Sequence, residues 1–318
     1  MRRLLVLFIL ILNFSTVIGL QPAEKVPQPK VYKGLYIRAD IFRDYNKFNK
    51  IYTKAKSYGI NSLVIDVQPA IKNKKALMKI SNDRIYKIAR VVCFDQGMRR
   101  EKPTANKMKR LLATAKKAAE LGFEEIQLDY IRYADNWGKH LTPAEKYKNI
   151  SAVIKQFDEH LKSYNVKISA DIFGRVPFTE DDVIGQRIEV FGNEVDVLYP
   201  MLYPSHFYGD NYLKYNPYQT IYEGTDRTVK RLEAMNNART KATVAWIQGF
   251  YIDVDPSGMS FTRYIYDQMI AAERAGQGWV VWNARNNYKW TWRALELVKK
   301  KQGSLIENKP LKWRGYNY

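Results

Sequence analysis

Gly122-Phe123-Glu124-Glu125-Ile126-Gln127-Leu128-Asp129-Tyr130-Ile131-Arg132 is the stretch whose reading decides the fold. An amphipathic helical pattern stops at Gly122 and a short strand follows. Side chains alternate along a strand, so Glu125, Gln127 and Asp129 share one face while Ile126 and Leu128 take the other. The last inward position is an acid, followed by an aromatic residue and an arginine. In a βα-barrel, the C-terminal end of a strand is where catalytic groups sit. A carboxylate placed there is what a sugar-cleaving barrel would need.

Outward from this stretch, strand-like segments recur at residues 34–38, 62–67, 85–94, 125–129, 167–173, 195–203, 242–248 and 278–282. Helical patterns lie between them, at 44–58, 104–121, 142–164 and 261–275, and a last one at 290–301. The helix at 104 has a Thr cap, an apolar face of Met108, Leu111, Leu112, Ala115 and Ala119, and a glycine stop. The helix at 142 opens Thr-Pro-Ala-Glu, a capping box with proline at the first helical position. Eight strands alternating with helices predict an α/β fold, a single (β/α)8 TIM barrel over residues 31–302. A doubly wound sheet is the alternative, but the Gly-rich first turn it favours is missing. No internal repeat and no second domain is visible.

Strand parity makes the expected barrel interior unusually polar. Tyr36 and Arg38 share a face on strand one, Val64, Asp66 and Gln68 on strand two, and Ser169, Asp171 and Phe173 on strand five. On strand three Arg90 shares a face with Val92 and Phe94. Unpaired charges inside a barrel cost several kcal/mol each. Some of the acids are therefore expected to neutralise Arg38 and Arg90, with Asp66 the first choice as a structural or secondary acid.

Asp129 and Asp171, ending neighbouring strands, form the candidate catalytic pair. Strands lie about 4.8 Å apart, which would let the carboxyls face each other at about 5 to 8 Å. Glycoside hydrolysis uses two such groups, about 5 Å apart for retention and about 6.5–9.5 Å for inversion, and the spacing does not choose between them. Asp95 is a further acid on the same rim, whereas Glu194 is expected to point away. The rim is also aromatic: residues 199–208 end strand six, Trp246-Ile247-Gln248-Gly249-Phe250 strand seven, and Trp279-Val280-Val281-Trp282-Asn283 strand eight. Sugars offer flat C–H faces to aromatic rings and hydroxyl edges to amides. Tyr203, Trp246, Gln248, Trp282 and Asn283 are thus candidate sugar-binding residues. Three histidines and one cysteine do not make a histidine-rich zinc site, and no Gly-x-Ser-x-Gly elbow is present. No metal site and no cofactor is expected.

With 46% hydrophobic residues among 318, the chain is globular and long enough for one large domain. Arg2 and Arg3, the apolar run from Leu4 to Phe14 and the small-residue exit Val17-Ile18-Gly19 read as a signal peptide over residues 1–19. An uncleaved anchor is the rival, although the run is short of the about 20 residues a span needs. Residues 20–30 read as a Pro-rich leader, extended and mobile, and residues 303–318 as a basic, aromatic tail. Export from a bacterial cytoplasm, to the periplasm, the cell surface or beyond, agrees with a lone Cys93 set in an apolar strand. The formal charge is +20, and loss of Arg2 and Arg3 leaves +18. Such a protein is drawn to anionic polymers or membrane surfaces. No nucleic-acid motif is present, so an envelope polysaccharide, anionic or not, is the expected partner of a monomer.

At these residues the chain resembles a bacterial family of secreted TIM-barrel proteins known as "putative glycoside hydrolase" domains. The matching stretches are GFEEIQLDYIR (122–132), SADIFG (169–174), LYPMLYPSHFY (198–208), WIQGF (246–250) and GWVVWNARNNY (278–288). KGLYIRAD (33–40) and KIARVVCFD (87–95) match less closely. The resemblance implies a carbohydrate substrate, and places Asp129, Arg132, Asp171, Tyr203, Ser205, His206, Gln248, Trp282 and Asn283 at motif positions. The stretch from Asp95 to Thr104 looks shorter than the family's usual segment, which puts one wall of the cleft in question. Strand four also looks like that of chitinase-type barrels, but Ile131 stands where their catalytic glutamate would be.

The expected protein is therefore an exported glycoside hydrolase acting on an envelope polysaccharide. Asp129 would serve as nucleophile or base and Asp171 as its acid partner. Arg132 and His206 would position substrate or tune the acids. The alternatives are a non-catalytic carbohydrate-binding barrel and a metal-assisted carbohydrate hydrolase such as a deacetylase.

Overall fold

The computed structural model describes residues 25–69, 71 and 73–305. The expected signal peptide, the leader as far as residue 24, and the tail beyond 305 lie outside the described residues. The chain opens with β1 (Tyr32–Ile37), α1 (Ala39–Arg43), α2 (Tyr45–Ser57), β2 (Ser62–Asp66), α3 (Lys74–Asn82) and β3 (Tyr86–Val92). It continues through α4 (Ala105–Glu120), β4 (Glu125–Asp129), α5 (Pro143–Leu161), β5 (Lys167–Phe173), α6 (Ile188–Glu194) and β6 (Val197–Met201). Then come α7 (Asn211–Tyr215), α8 (Pro217–Glu233), β7 (Ala242–Thr243), β8 (Ala245–Gln248), α9 (Phe261–Ala275), β9 (Gly278–Trp282) and α10 (Lys289–Leu305).

All strand pairings are parallel. β1 pairs with β2 on one side and β9 on the other, and β5 pairs with β6. The sheet is therefore closed, which excludes the open doubly wound alternative. β7 and β8 are two pieces of one stave, so the barrel has eight staves, as expected of a (β/α)8 fold. The interruption at Val244 has a covalent cause. The Val244 N–H donates to the Leu198 carbonyl, but the next rung would come from the backbone N of Pro200, which has no hydrogen to give.

Helix starts follow their caps. Asp44 accepts from the Asn46 and Lys47 amides to begin α2, and the Thr104 hydroxyl accepts from the Lys107 amide. Thr142 and Glu145 form a reciprocal capping box with Pro143 in the first turn. Sequence periodicity did not expose α3, α6 or α8, which are short or rich in polar and small residues. α10 runs to Leu305, so the expected tail starts later than residue 303.

Two apolar layers follow from strand parity. Leu35, Ile37, Leu63, Ile65, Ile126 and Leu128 pack outward under the helices, while Tyr32, Val64, Ile88, Val197, Tyr199 and Val280 fill the barrel. Phe94 belongs to the outer layer because β3 ends at Val92. Closure between β1 and β9 depends on Gly278. Its φ is +102°, and a Cβ there would sit 2.1 Å from the Tyr32 carbonyl oxygen.

Two expectations need correction. Arg38 does not enter the barrel: β1 ends at Ile37, and Arg38 becomes the residue before α1, salt-bridged to Asp40 at 2.8 Å on the exposed rim. The leader is not free along its described part. Lys25 donates to the Tyr164 and Asn165 carbonyls, and the Val26 amide reaches Glu124 at 3.3 Å, tying it across the N-terminal end of the barrel.

Candidate active site

The register of β4 against β5 pairs Leu128 with Ala170, so the next residues, Asp129 and Asp171, emerge side by side. Their carboxyls are close enough to share a hydrogen bond. Asp171 is fully buried and accepts from the Trp246 indole N–H at 2.7 Å. Burial and, next, the charge of Asp129 push its carboxyl well above the ordinary range. Of the two, Asp171 is the carboxyl that its surroundings hold toward the protonated form.

Asp129 is held differently. Its Oδ1 accepts from the Tyr130 amide at 2.6 Å, and its Oδ2 from Arg90 Nε at 2.8 Å. Arg90 also pairs with Asp66 at 2.6 Å, and Asp66 accepts from the Tyr36 hydroxyl. The guanidinium lies 5.0 Å from the Trp282 ring centroid and 5.6 Å from that of Tyr36. Asp66 and Arg90 thus stand beside the pair as the internal charge network that parity implied. Tyr130, directly after Asp129, adopts φ +52°, a left-handed conformation that a non-glycine residue holds only where its surroundings enforce it.

Above the pair opens a cavity of ≈ 540 Å³. Its walls include Tyr203, His206, Trp246 and Trp282, together with Phe173 from the inner face of β5 and Phe207 and Tyr208 from the aromatic rim, and also Tyr130, Arg175 and Asp210, which sequence reasoning did not single out. Tyr203 stacks edge-on with His206 at 5.4 Å and with Phe250 at 5.6 Å. Burial lowers the His206 pKa, so the imidazole is neutral at pH 7. Arg175 follows directly on the SADIFG stretch. Asp182 binds it through Nε at 2.6 Å and Nη2 at 3.0 Å. Only its position beside that stretch could have flagged it.

Four expected substrate-binding residues do not line the cavity. The Gln248 side chain accepts from the Ser205 amide at 3.0 Å and donates to the Phe250 and Ile252 carbonyls, which clamps two rim loops. Ser205 is fully buried. The Asn283 amide donates to the Gly249 and Asn287 carbonyls and its oxygen caps the Arg285 amide. Arg132 is buried behind Phe173, 4.7 Å from that ring, and paired with Asp135 at 3.0 Å. For Gln248 and Asn283, backbone groups of the irregular rim loops consume the side chain's hydrogen-bonding capacity. Among the described residues, no group of three or more His, Cys, Asp or Glu is placed to hold a metal ion.

A family model described as "Putative glycosyl hydrolase domain" matches residues 103–288, more than half of the 318. The chain belongs to this family. Its matched span carries both aspartates and the aromatic strand ends, while the weaker motifs at 33–40 and 87–95 precede it. No curated protein sequence matches the chain. Among solved structures, the fold is similar to the glycoside hydrolase domain of PgaB (BpsB) from Bordetella bronchiseptica. That likeness has a TM-score of 0.60 at 9% identity and covers 83% of this chain and 98% of that one. The spore cortex-lytic enzyme SleL of Bacillus megaterium QM B1551 gives a TM-score of 0.55 at 11% identity, over 85% of this chain and 75% of that one. A chitinase from Chromobacterium violaceum ATCC 12472 gives 0.54 at 11%, over 84% and 98%. At such identities the likeness concerns the barrel itself. Family and fold agree on a glycoside hydrolase-type domain.

Proposed function

We propose that this protein is an exported glycoside hydrolase that cleaves a polysaccharide of the cell envelope, with Asp129 and Asp171 as its working pair. The observation that carries the reading is a pair of neighbouring carboxyls held differently at the floor of an aromatic cavity, Asp171 against the Trp246 indole and Asp129 by Arg90 and the Tyr130 amide. Environments that push paired acids apart in pKa are how acid and base roles are divided. Asp171, buried and with its pKa raised, would give its proton to the glycosidic oxygen, breaking the bond to the leaving sugar. Asp129 would stabilise the oxocarbenium-like centre and act on it as nucleophile, or as base toward a water. The proton that lies between the two carboxyls must swing from Asp129 to the substrate for this to happen. Trp282, Tyr203 and Tyr208 offer ring faces to sugar C–H surfaces. Export is supported by the basic and apolar start of the chain.

The contact between the carboxyls, and the hold of Arg90 on Asp129, favour one rival: a carbohydrate-binding barrel in which the acids only balance charge. Sugar release from a panel of bacterial envelope polysaccharides separates the two. Wild type, Asp129→Asn and Asp171→Asn would be compared, with folding checked by thermal melt. A loss of at least about 10³-fold in folded Asp129→Asn, roughly 4 kcal/mol of barrier, is the expected result. Equal polymer binding by all three without any release would establish the binding barrel instead.

A further inference from the structure

The charge of the outer helices is distributed on one side. α2 carries four lysines and no acid, and α3 three lysines and no acid. α4 carries five cations against Glu120, and α10 five against Glu296. Going on around the ring, α5 and α8 each hold three cations and three acids, and α9 two of each. The two acids at the ends of α2 and α3 are already engaged, Asp44 as a cap and Asp83 with Lys56 and Tyr52.

Chain order makes the basic helices neighbours. α2, α3 and α4 follow β1, β2 and β3, and α10 follows β9, which pairs with β1. Contacts close the seam between α10 and α2: Tyr58 stacks on Trp292 at 5.8 Å, and Lys299 lies 4.8 Å from the Tyr58 ring. Packed helices stand about 8–10 Å apart, within about one Debye length at 0.1 M salt, so cations on adjacent helices act together. The seam also forms a groove beside Lys54, Lys289, Trp292 and Arg293. Lys289 opens α10 seven residues after Trp282 at the cavity wall, so groove and cavity are joined by one short loop.

We propose that this flank, α10–α2–α3–α4, is a docking surface for an extended anionic polysaccharide. The choice of a polysaccharide over another polyanion rests on the carbohydrate reading of the cavity, to which the groove is linked. Aromatic rings interleaved with cations suit a polymer that alternates sugar faces with acid groups. A membrane surface fits less well: Met78 is the one large apolar side chain exposed on these four helices among the described residues. The flank concentrates an otherwise diffuse basicity where a polymer can lie across several helices, which raises its local concentration near the cavity.

The test is binding of the full-length chain, as Asp129→Asn so that turnover plays no part, to polygalacturonate and to its methyl ester at several salt concentrations. Lys54→Glu/Arg293→Glu on the flank is compared with Arg227→Glu/Lys230→Glu on α8, which changes net charge equally. Both folds are checked by thermal melt. The expected result is salt-sensitive binding to the acid form alone, weakened at least about tenfold by the flank pair and less than about twofold by the α8 pair. Equal weakening by both pairs would reduce the effect to net charge and overturn the surface. Tighter binding to duplex DNA or to phosphatidylglycerol vesicles would overturn the partner. No cleavage is read, so failure here is separate from failure of the hydrolase reading.

Discussion

Arg90 grips one oxygen of Asp129 with two nitrogens, Nε at 2.8 Å and Nη2 at 2.5 Å, and turns Nη1 to Asp66 at 2.6 Å. One cation therefore serves two acids at the floor of the cavity. With Asp171 protonated, the floor keeps one net negative charge, the sign that suits a sugar becoming cationic in the transition state.

Removing that cation is the first prediction. Arg90→Met leaves Asp66 and Asp129 without compensation, and breaking a buried pair in this way costs about 3–5 kcal/mol. Urea unfolding should show the loss. A change below about 1 kcal/mol would mean that water already screens the network.

The second concerns pH. Because burial, followed by the Asp129 charge, raises Asp171, kcat/KM should fall on the alkaline side as that proton leaves. The Trp246 N–H stabilises the charged form of Asp171 and so lowers its pKa. Trp246→Phe should move the alkaline limb to higher pH. A limb that stays put or moves to lower pH would remove Asp171 from the role of acid.

Glu125 gives a stability prediction at the other end of the barrel. It is fully buried, accepting from the Tyr199 hydroxyl at 2.8 Å and from Tyr32 at 3.3 Å. Burial raises its pKa from 4.5 to about 7, against the opposing hydrogen bond of Tyr199. The native state then holds this proton longer than the unfolded chain. Stability is complete below the unfolded value and is lost as pH rises through about 7. The loss is on the order of 3 kcal/mol. Asp171 acts in the same direction, so the comparison belongs in an Asp171→Asn background. There, Glu125→Gln should flatten the decline between about pH 4.5 and 7; an unchanged slope would count against it.

Gly278→Ala tests barrel closure. The new Cβ would meet the Tyr32 carbonyl oxygen at 2.1 Å, in a residue with φ +102°. A cost on the order of 3 kcal/mol or more is expected. Gly122→Ala is the control: its φ is +82° with nothing within 4 Å of a Cβ, so strain alone should cost about 1–2 kcal/mol. Equal losses in thermal melts would show that strain, and not the clash, decides.

Much of this protein was legible in the chain alone. β4, β5, β9 and α9 fall where alternation, apolar periodicity and glycine stops put them, because those signals are local. Asp129, Asp171, Trp246 and Trp282 reach the cavity because parity fixes which strand residues face inward, and Tyr203 and His206 reach it from the turn after β6. Parity says nothing once a strand has ended. Arg38 lies one residue past β1 and turns to the surface, Gln248 and Asn283 spend their polar groups on loop backbone, and Ser205 is buried. The touching of Asp129 and Asp171, and the shared hold of Arg90, depend on the register between strands about 40 residues apart. So does the gathering of four basic helices on one flank, which only ring closure brings together. Sequence determines which side chains a strand offers, because that is set by neighbouring bonds. Which of them meet is settled by packing between distant segments, and the chemistry proposed here depends on those meetings.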